Sequence, residues 1–297
     1  MERASSSLVG SREVFLKRED THELGAFKWR GALPVIEAYR ASGAAAVVTA
    51  STGNHGAATA WAAKRSGLSA VVFAPESASR AKLALIESLG ADLRPAGCDL
   101  DEAKEKAMQF AEARGLPFFE DGAEPAQYEG YEAIAAEILE QTGAPPSAVV
   151  VPVGNGALIG GIGALLRKRS PRTAIIGVVA REAPVMALSF EAGRPVPCDR
   201  MATFADGLAV RVAIPRAVDA LSRVVARIVP VSERSIARAI GAYASAGIRV
   251  EGAAAAPLAA LAELPSSGEA VVLLVTGRNI DEALWSRAVA DPGSFPD

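Results

Sequence analysis

The stretch that decides the fold is "PPSAVVVPVGNGALIGGIGALL", residues 145–166. It has no charged side chain and is long enough to span a bilayer as a helix. However, Pro152, Asn155 and repeated glycines interrupt the apolar run, and its first half is rich in β-branched valine. The stretch therefore predicts a short buried strand, a glycine loop and a helix, and not a membrane span.

The same order of elements recurs along the chain. Continuous apolar runs predict strands that are buried on both faces, and segments with helical spacing follow several of them. The predicted strands lie at 44–49, 69–75, 148–153, 173–180 and 269–277, and the predicted helices at 55–67, 79–91, 157–169, 232–247, 256–264 and 279–290. This alternation predicts an α/β fold whose largely parallel sheet is covered by helices on both faces.

Composition limits the classes of function. The chain has 297 residues, 50% of them hydrophobic and 22% charged, which is typical of one large or two moderate globular domains. The net charge is −3 and no basic stripe is present, so nucleic acid is not expected as a partner. Cys98 and Cys198 stand far apart and form no CxxC motif, and residues 1–15 contain no apolar signal-type core. A reducing cytoplasm fits these features best.

Small polar loops follow three of the predicted strands. They are "STGNHG" at 51–56, "GNGALIGG" at 154–161 and "TGRN" at 276–279. Ligands of open parallel sheets gather at the carboxyl ends of the strands. These loops are therefore the candidate binding elements.

The loop that starts at Gly154 has the parts of a phosphate cradle. Glycines let backbone N–H groups approach an anion, and the following helix presents its positive end. The spacing GxGxxxGG is neither that of a nucleoside-triphosphate loop nor that of a dinucleotide fingerprint. A glycine-rich packing turn is the alternative interpretation, and this loop alone does not decide between the two.

The loop 51–56 can bind a carboxylate through the Ser51 and Thr52 hydroxyls and backbone N–H groups, while Asn54 can donate to an oxygen. A simple helix N-cap with polar neighbours is the alternative. His55 is interpreted as a buried structural histidine in preference to a general base, and His22 as a surface residue. These two histidines, without clustered carboxylates, indicate no catalytic metal site.

"FKWRGA", residues 27–32, places Lys28 between Phe27 and Trp29. Taken alone, Lys28 has the character of an ordinary surface lysine. Together with a phosphate cradle, a carboxylate-binding loop and the hydroxyl of Thr276 at a strand end, it completes the set of groups that a Schiff-base cofactor needs.

With these motifs the chain resembles the fold-type II pyridoxal-phosphate enzymes, in the branch of threonine/serine dehydratases and serine racemase. The resemblance implies a fold like that of the tryptophan synthase β subunit, with two domains that each contain a mostly parallel twisted sheet flanked by helices. Six motifs in the family's order carry it: "LKRED" with "FKWRGA", "ASTGNHG" at 50–56, "VPVGNGALIGG" at 151–161, "ATFADGLAV" at 202–210, "VEGAAAAPLAAL" at 250–261 and "VTGRNID" at 275–281.

The resemblance also implies a role for individual residues. Lys28 would form the Schiff base with pyridoxal 5′-phosphate, and Thr52 stands where the racemase has its second acid–base group. The substrate carboxylate would be bound by Ser51, Thr52, Gly53 and His55. The other implied cofactor contacts are Phe27, Asn54 and Thr276 around the ring, and Gly154, Asn155, Gly156, Ala157 and Leu158 at the phosphate.

The implied reaction is β-elimination from a β-hydroxy amino acid such as L-threonine or L-serine, which gives a 2-oxo acid and ammonia. A neutral hydroxyl at Thr276 would leave the ring a weaker electron sink than a carboxylate would, which favours rapid loss of a β substituent. β-Replacement or racemisation on a related, specialised biosynthetic substrate is the alternative reaction. A non-catalytic homologue is the alternative class, and the presence of Lys28 argues against it.

Some positions depart from the family's usual pattern. Ala26 stands where a serine is usual, and Arg278 replaces a glycine near Thr276; we interpret Arg278 as a solvated residue. Asp121 is interpreted either as a determinant of substrate choice or as a loop charge. Glu182 is the only acidic residue in the segment that binds a metal in racemases, so no structural divalent ion is expected there.

The resemblance further implies a larger domain made of 1–45 and 124–297, a smaller domain at 46–123 and a homodimer. Family members usually have a further strand and helix before the "LKRED" segment, so we expect either that this chain begins late in the family's pattern or that its N-terminal support is reduced. No regulatory domain follows the last motif, and feedback control through such a domain is not expected.

Overall fold

A computed structural model describes residues 1–78, 80–264 and 269–297. The described residues form nine strands: β1 Glu2–Arg3, β2 Val14–Arg18, β3 Ala46–Ala50, β4 Ser69–Ala74, β5 Asp92–Pro95, β6 Ala148–Pro152, β7 Ala174–Ala180, β8 Arg227–Val231 and β9 Val271–Val275. They form twelve α-helices: α1 Ser6–Val9, α2 Trp29–Ala41, α3 Asn54–Ser66, α4 Arg80–Ser88, α5 Leu100–Arg114, α6 Pro125–Thr142, α7 Ala157–Arg169, α8 Val185–Ala192, α9 Pro215–Val224, α10 Glu233–Ser245, α11 Gly252–Ala259 and α12 Glu282–Ala290. Short 3-10 turns lie at Asp206–Leu208, Ala260–Glu263 and Pro292–Ser294.

The chain divides into two compact units. The larger is made of Met1–Ala26 and Tyr131–Asp297, and the smaller of Phe27–Gly130. The predicted boundaries at 46 and 123 therefore differ from those of the structure. The reason is local packing in the smaller unit: α2 packs against α3, and Gly130 lies so close to α2 that an added Cβ would overlap the Arg30 carbonyl oxygen.

The larger unit contains a six-stranded sheet in the order β1-β2-β9-β6-β7-β8. All neighbours pair in parallel except β1, which is antiparallel to β2. The side chains of β6 and β9 are buried along their whole length. Since successive side chains of a strand point to opposite faces, both faces of this sheet centre are covered, as the continuous apolar runs predict.

The smaller unit contains the parallel sheet β3-β4-β5. Alternate residues of β4 pack in two different hydrophobic clusters. Val71 and Phe73 pack in a cluster with alanines of α5, whereas Val72 and Ala74 pack in a cluster with residues of α3 and α4. The predicted doubly covered parallel sheet is thus present in this unit as well, and the predicted α/β fold class is confirmed.

Three strands of the larger sheet, β1, β2 and β8, were not predicted, and β2 lacks the apolar signature because it carries charges. β2 ends in Lys17 and Arg18, yet Lys17 is only 4% exposed. Its ammonium lies 2.6 Å from Glu19 and 2.6 Å from Glu137, so the charge is neutralised inside the unit.

α4 begins at Arg80, and the predicted helix start at Ser79 lies outside the described residues. Of the helices in the described part of the chain, none has the length and apolar character needed to cross a membrane.

Candidate active site

Lys28 occupies the N-cap position of α2, with helical backbone angles. Its side chain is 19% exposed and forms an ion pair with Asp121. The ammonium lies 5.3 Å from the centroid of the Phe27 ring, which is itself buried. Lys28 is therefore not a surface lysine: its amine is shielded between an aromatic ring and a carboxylate.

Asp121 lies in a group of neighbouring side chains that we call the Lys28 network: Lys28, Asp121, Gln127, His55 and Thr49. Asp121 accepts a hydrogen bond from Lys28 and a second, of 2.6 Å, from Gln127 Nε2. Gln127 Oε1 in turn accepts from the Gly122 N–H at 2.7 Å. Burial alone would raise the pKa of Asp121, but the positive Lys28 and the imidazole of His55 outweigh it and hold that pKa well below its ordinary value.

His55 lies in the first turn of α3 and is 6% exposed. Its Nε2 is 3.1 Å from Thr49 Oγ1 and 3.3 Å from the Phe119 carbonyl oxygen. Its Nδ1 is 3.8 Å from Asp121 Oδ1, too far for a hydrogen bond. Burial lowers the pKa of His55, so the imidazole is neutral at neutral pH. This placement fits the interpretation of His55 as a buried structural residue beside the lysine.

The loop 51–56 ends at the start of α3, whose N-cap residue is Gly53. Within the described part of the chain, no side chain caps this helix. Ser51 is buried and accepts a hydrogen bond from the Gly53 N–H at 3.2 Å, while Thr52 is half-buried. An uncapped helix start with two hydroxyls beside it is suited to a carboxylate.

In the larger unit, the segment 154–158, called loop 154–158 below, follows β6 and includes the first residues of α7. An added Cβ at Gly154 would overlap the Gly207 carbonyl oxygen, and Gly156 has φ of 93°, which favours glycine. Asn155 Oδ1 accepts a hydrogen bond from the Ala157 N–H at 3.0 Å. Of the predicted phosphate donors, Ala157 is thus bonded within the loop itself.

Thr276 follows β9 and is 1% exposed. Its hydroxyl makes no hydrogen bond to any described residue, which is unusual for a buried hydroxyl. The next residue, Gly277, lies against Glu251: an added Cβ would be 2.6 Å from Glu251 Oε1. Arg278 is exposed, as its interpretation as a solvated residue predicts.

Residues 1–78, 80–264 and 269–297 contain no group of three histidine, cysteine or acidic side chains that could hold a metal ion. Glu182, which stands in the segment discussed for metal binding, lies 4.0 Å from Arg200. Cys98 and Cys198 are free thiols.

A family model described as "Pyridoxal-phosphate dependent enzyme" matches residues 2–277. The chain belongs to this family. The predicted family and the predicted pyridoxal 5′-phosphate cofactor are therefore confirmed.

Two curated members of the family illustrate the relationship. The chain is 34% identical over 289 residues to an L-threonine ammonia-lyase of Thermotoga maritima, covering 95% of this chain and 71% of that protein. It is 35% identical over 207 residues to a biosynthetic L-threonine dehydratase of Pasteurella multocida, covering 69% of this chain. The match spans only 40% of the length of the Pasteurella protein.

Solved structures of the family have the same fold. A threonine deaminase isoform of Solanum lycopersicum superposes with a TM-score of 0.91 at 28% identity, covering 99% of this chain and 88% of that one. Maize serine racemase superposes with a TM-score of 0.89 at 26% identity, covering 96% and 89%. Diaminopropionate ammonia lyase of Escherichia coli, at 22% identity and a TM-score of 0.85 with 97% and 86% coverage, shares the fold.

The residues present fit the cofactor of this family. The unpartnered buried hydroxyl of Thr276 is suited to a ring nitrogen, since a buried polar atom is satisfied when a ligand bonds to it. The shielded amine of Lys28 is suited to covalent attachment. Residues 154–158 lead into the first turn of α7, whose backbone N–H groups and positive end suit a phosphate.

Sequence reasoning missed the role of two residues near these positions. The sequence does not show that Asp121 contacts Lys28. Nor does it show that Gln127 fixes the Asp121 carboxylate. The signal available was the acidic pair Glu120–Asp121 after the apolar "PFF", but nothing local connects that pair to a lysine 93 residues away.

Proposed function

We propose that the protein eliminates water from a β-hydroxy amino acid of the threonine or serine type, releasing a 2-oxo acid and ammonia. The observation that carries this proposal is the placement of Lys28, a shielded amine paired with a carboxylate at the start of a helix. The relationship to the Thermotoga L-threonine ammonia-lyase, over 95% of this chain, supports the choice of reaction.

Pyridoxal phosphate, when bound, supplies a ring that withdraws electrons from the α carbon of an amino acid. Lys28 would hold this cofactor covalently, and its amine, once displaced by the substrate, would take the α proton at Nζ. The Lys28 network would then hold the resulting ammonium next to Asp121. The α carbon thus loses a proton to Lys28, and the β carbon loses its hydroxyl group, which takes up a proton and leaves as water. Hydrolysis of the remaining enamine then consumes one water and releases the 2-oxo acid and ammonia.

Thr276 would affect how strongly negative charge at the α carbon of the substrate is stabilised. A hydroxyl is neutral and does not force a proton onto a ring nitrogen as a carboxylate would. Charge at the α carbon is then stabilised less, and it is relieved by rapid loss of the β substituent. A buried hydroxyl at this position therefore favours elimination over transamination.

The substrate carboxylate would be bound at the start of α3. The hydroxyls of Ser51 and Thr52 and the free end of the helix can all donate hydrogen bonds to it. His55 would support this loop from inside the unit as a neutral imidazole, through its contacts with Thr49 and the Phe119 carbonyl.

Release of 2-oxo acid from cofactor-loaded protein tests the proposal. The panel is L-threonine, L-serine, D-serine and 3-hydroxyaspartate, with Lys28→Ala as the control. We expect release from at least one L-hydroxy amino acid and none from the variant. Absence of release from every compound, in protein that has bound the cofactor, would contradict the proposal.

Racemisation is the second candidate, because a half-buried hydroxyl at Thr52 is available as a second acid–base group. The fold similarity to maize serine racemase is consistent with it. Exchange of the α hydrogen for deuterium with inversion, without 2-oxo acid release, would favour this reaction. Trapping of the product by added sulfide would instead favour β-replacement.

We also propose that the protein is a cytoplasmic homodimer that binds its amino acid as a small-molecule partner. Light scattering of the purified protein gives the mass, which we expect to be twice that of one chain, 30.6 kDa.

A further inference from the structure

Asp121 is not among the residues assigned to the cofactor or to the substrate, yet its carboxylate contacts the reactive lysine. The side chains of Lys28 and Asp121 are 19% and 24% exposed, so the pair is largely shielded from water. An ion pair shielded in this way is screened less by salt than a surface pair is. The contact is therefore energetically significant for both groups.

The carboxylate is also fixed from its other side. Gln127 donates to Asp121 Oδ1, and the same carboxamide accepts from the Gly122 N–H. Tyr128 donates to the Gly122 carbonyl oxygen at 2.7 Å, which ties the residue after Asp121 to the start of α6. Asp121 is thus held in one orientation, unlike a charge on a mobile loop.

The other charged groups around Asp121 have contacts of their own. Glu120 pairs with Lys104 of α5, and Glu124 accepts from the Tyr39 hydroxyl of α2 at 2.9 Å. His55 of α3 is kept neutral by burial. Lys28 of α2 is therefore the cation on which the Asp121 carboxylate acts most directly.

We propose that Asp121 is a positioning residue for Lys28, which holds the amine as an ammonium, in one orientation, whenever that amine is not bonded to the cofactor. This inference rests on the proposed role of Lys28. Asp121 then acts by positioning the lysine amine, and is neither a determinant of substrate choice nor only a loop charge.

The contact with Asp121 would slow one reaction of Lys28 and favour another. An amine attacks an aldehyde only in its neutral form: the ammonium first gives a proton to solvent, the nitrogen–carbon bond forms, and the aldehyde oxygen leaves as water. Asp121 opposes the first of these events and so slows capture of the cofactor at neutral pH. In return, it stabilises the ammonium that forms when Lys28 takes a proton from the substrate.

Labelling of Lys28 in the cofactor-free protein tests the inference. Acetic anhydride acylates neutral amines, and peptide mass spectrometry reports the extent at Lys28 across a pH series. In Asp121→Asn we expect about tenfold faster labelling of Lys28 at neutral pH, because the amine then lacks the adjacent carboxylate that holds it.

Glu120→Gln is the matched control, because it removes a carboxylate one residue away that pairs with a different lysine. We expect its labelling profile at Lys28 to equal that of the parent. Asp121→Ser serves as a second uncharged variant, and circular dichroism with thermal unfolding identifies the variants that are folded. Only the labelling profiles of folded variants are compared with that of the parent.

An unchanged profile in the folded Asp121 variants would overturn the inference, and so would an equal shift in Glu120→Gln. The labelling requires neither cofactor nor substrate. A shifted profile without any 2-oxo acid release would therefore retain the inference and refute the proposed elimination, whereas release with an unchanged profile would do the reverse.

Discussion

The two units differ in the chemical character of the candidate site residues that each contains. In the smaller unit, the Lys28 network includes the charged pair of Lys28 and Asp121 and the titratable His55, beside the neutral side chains of Gln127 and Thr49. In the larger unit, loop 154–158 and Thr276 are neutral, and the Thr276 hydroxyl has no partner among the described residues. The charged pair among the candidate residues thus lies in the smaller unit, and the buried hydroxyl without a described partner lies in the larger one.

The largest expected effect is that of Lys28→Ala. Product release should fall by at least about a thousandfold, because the variant lacks both the covalent attachment point and the base. Lys64→Ala is the matched control, since Lys64 is an exposed lysine of α3. We expect it to retain the parent rate in the same 2-oxo acid assay. Equal loss in both variants would indicate damage to the fold and contradict a special role of Lys28.

Gly154→Ala should have the next largest effect. Its Cβ would overlap the Gly207 carbonyl oxygen, and backbone atoms must move to relieve the overlap. We expect a loss of about 1–3 kcal/mol in the free energy of unfolding, as for other overpacked sites, together with weaker cofactor binding. Gly241→Ala in α10 is the control, because its Cβ has room, with the nearest atoms 3.9 Å away.

Chemical denaturation and cofactor titration measure both glycine variants. Gly241→Ala should keep the cofactor affinity and gain up to about 1 kcal/mol of stability, because alanine favours a helix. Equal cofactor affinity in Gly154→Ala and the parent would show that the loop conformation is not needed for binding.

Thr276→Val should act in opposite directions on stability and on binding. In the cofactor-free protein it removes a buried hydroxyl without a partner among the described residues, so we expect unchanged or slightly raised stability. In the loaded protein it removes a hydrogen bond, and affinity for the cofactor should fall by about 1 kcal/mol, roughly fivefold. Thermal unfolding with and without the cofactor measures both effects. A loss of stability in the cofactor-free variant would contradict this description of Thr276.

The smallest expected effect concerns pH and His55. Burial lowers the pKa of His55 in the folded protein, so folding favours the neutral imidazole. The resulting stability is fully present above the unfolded value of about 6.5 and is lost as pH falls through the lower folded pKa. His55→Gln should therefore have a shallower loss of unfolding free energy below about pH 6.5 than the parent. Urea unfolding at a series of pH values measures the slope, and parallel curves would contradict the assignment.

Much of the fold was predictable because its central strands are continuous apolar runs. β3, β4, β6, β7 and β9 were all predicted, since burial on both faces leaves a signature within each short segment. β2 was missed because it carries charges. The charge of Lys17 is neutralised by Glu19 and by Glu137, and Glu137 is 120 residues from Lys17. A partner so distant along the chain leaves no local signature.

The candidate site residues also divide into those that have a local sequence signature and those that do not. Three motifs could be recognised because their functional groups lie at a few neighbouring positions in the sequence. They are Lys28 with its neighbours, the loop 51–56 and the loop 154–158. Asp121 acts through a contact across 93 residues, and Gln127 through Asp121. Only the folded chain brings these groups together, and so their role could not be predicted.

The central claim is that Lys28 is the residue that holds the cofactor. Borohydride reduction of the loaded protein, followed by peptide mapping with mass spectrometry, tests it most directly. We predict one pyridoxal phosphate per chain, fixed on the peptide that contains Lys28. Cofactor fixed on another lysine, or protein that takes up none, would contradict the account.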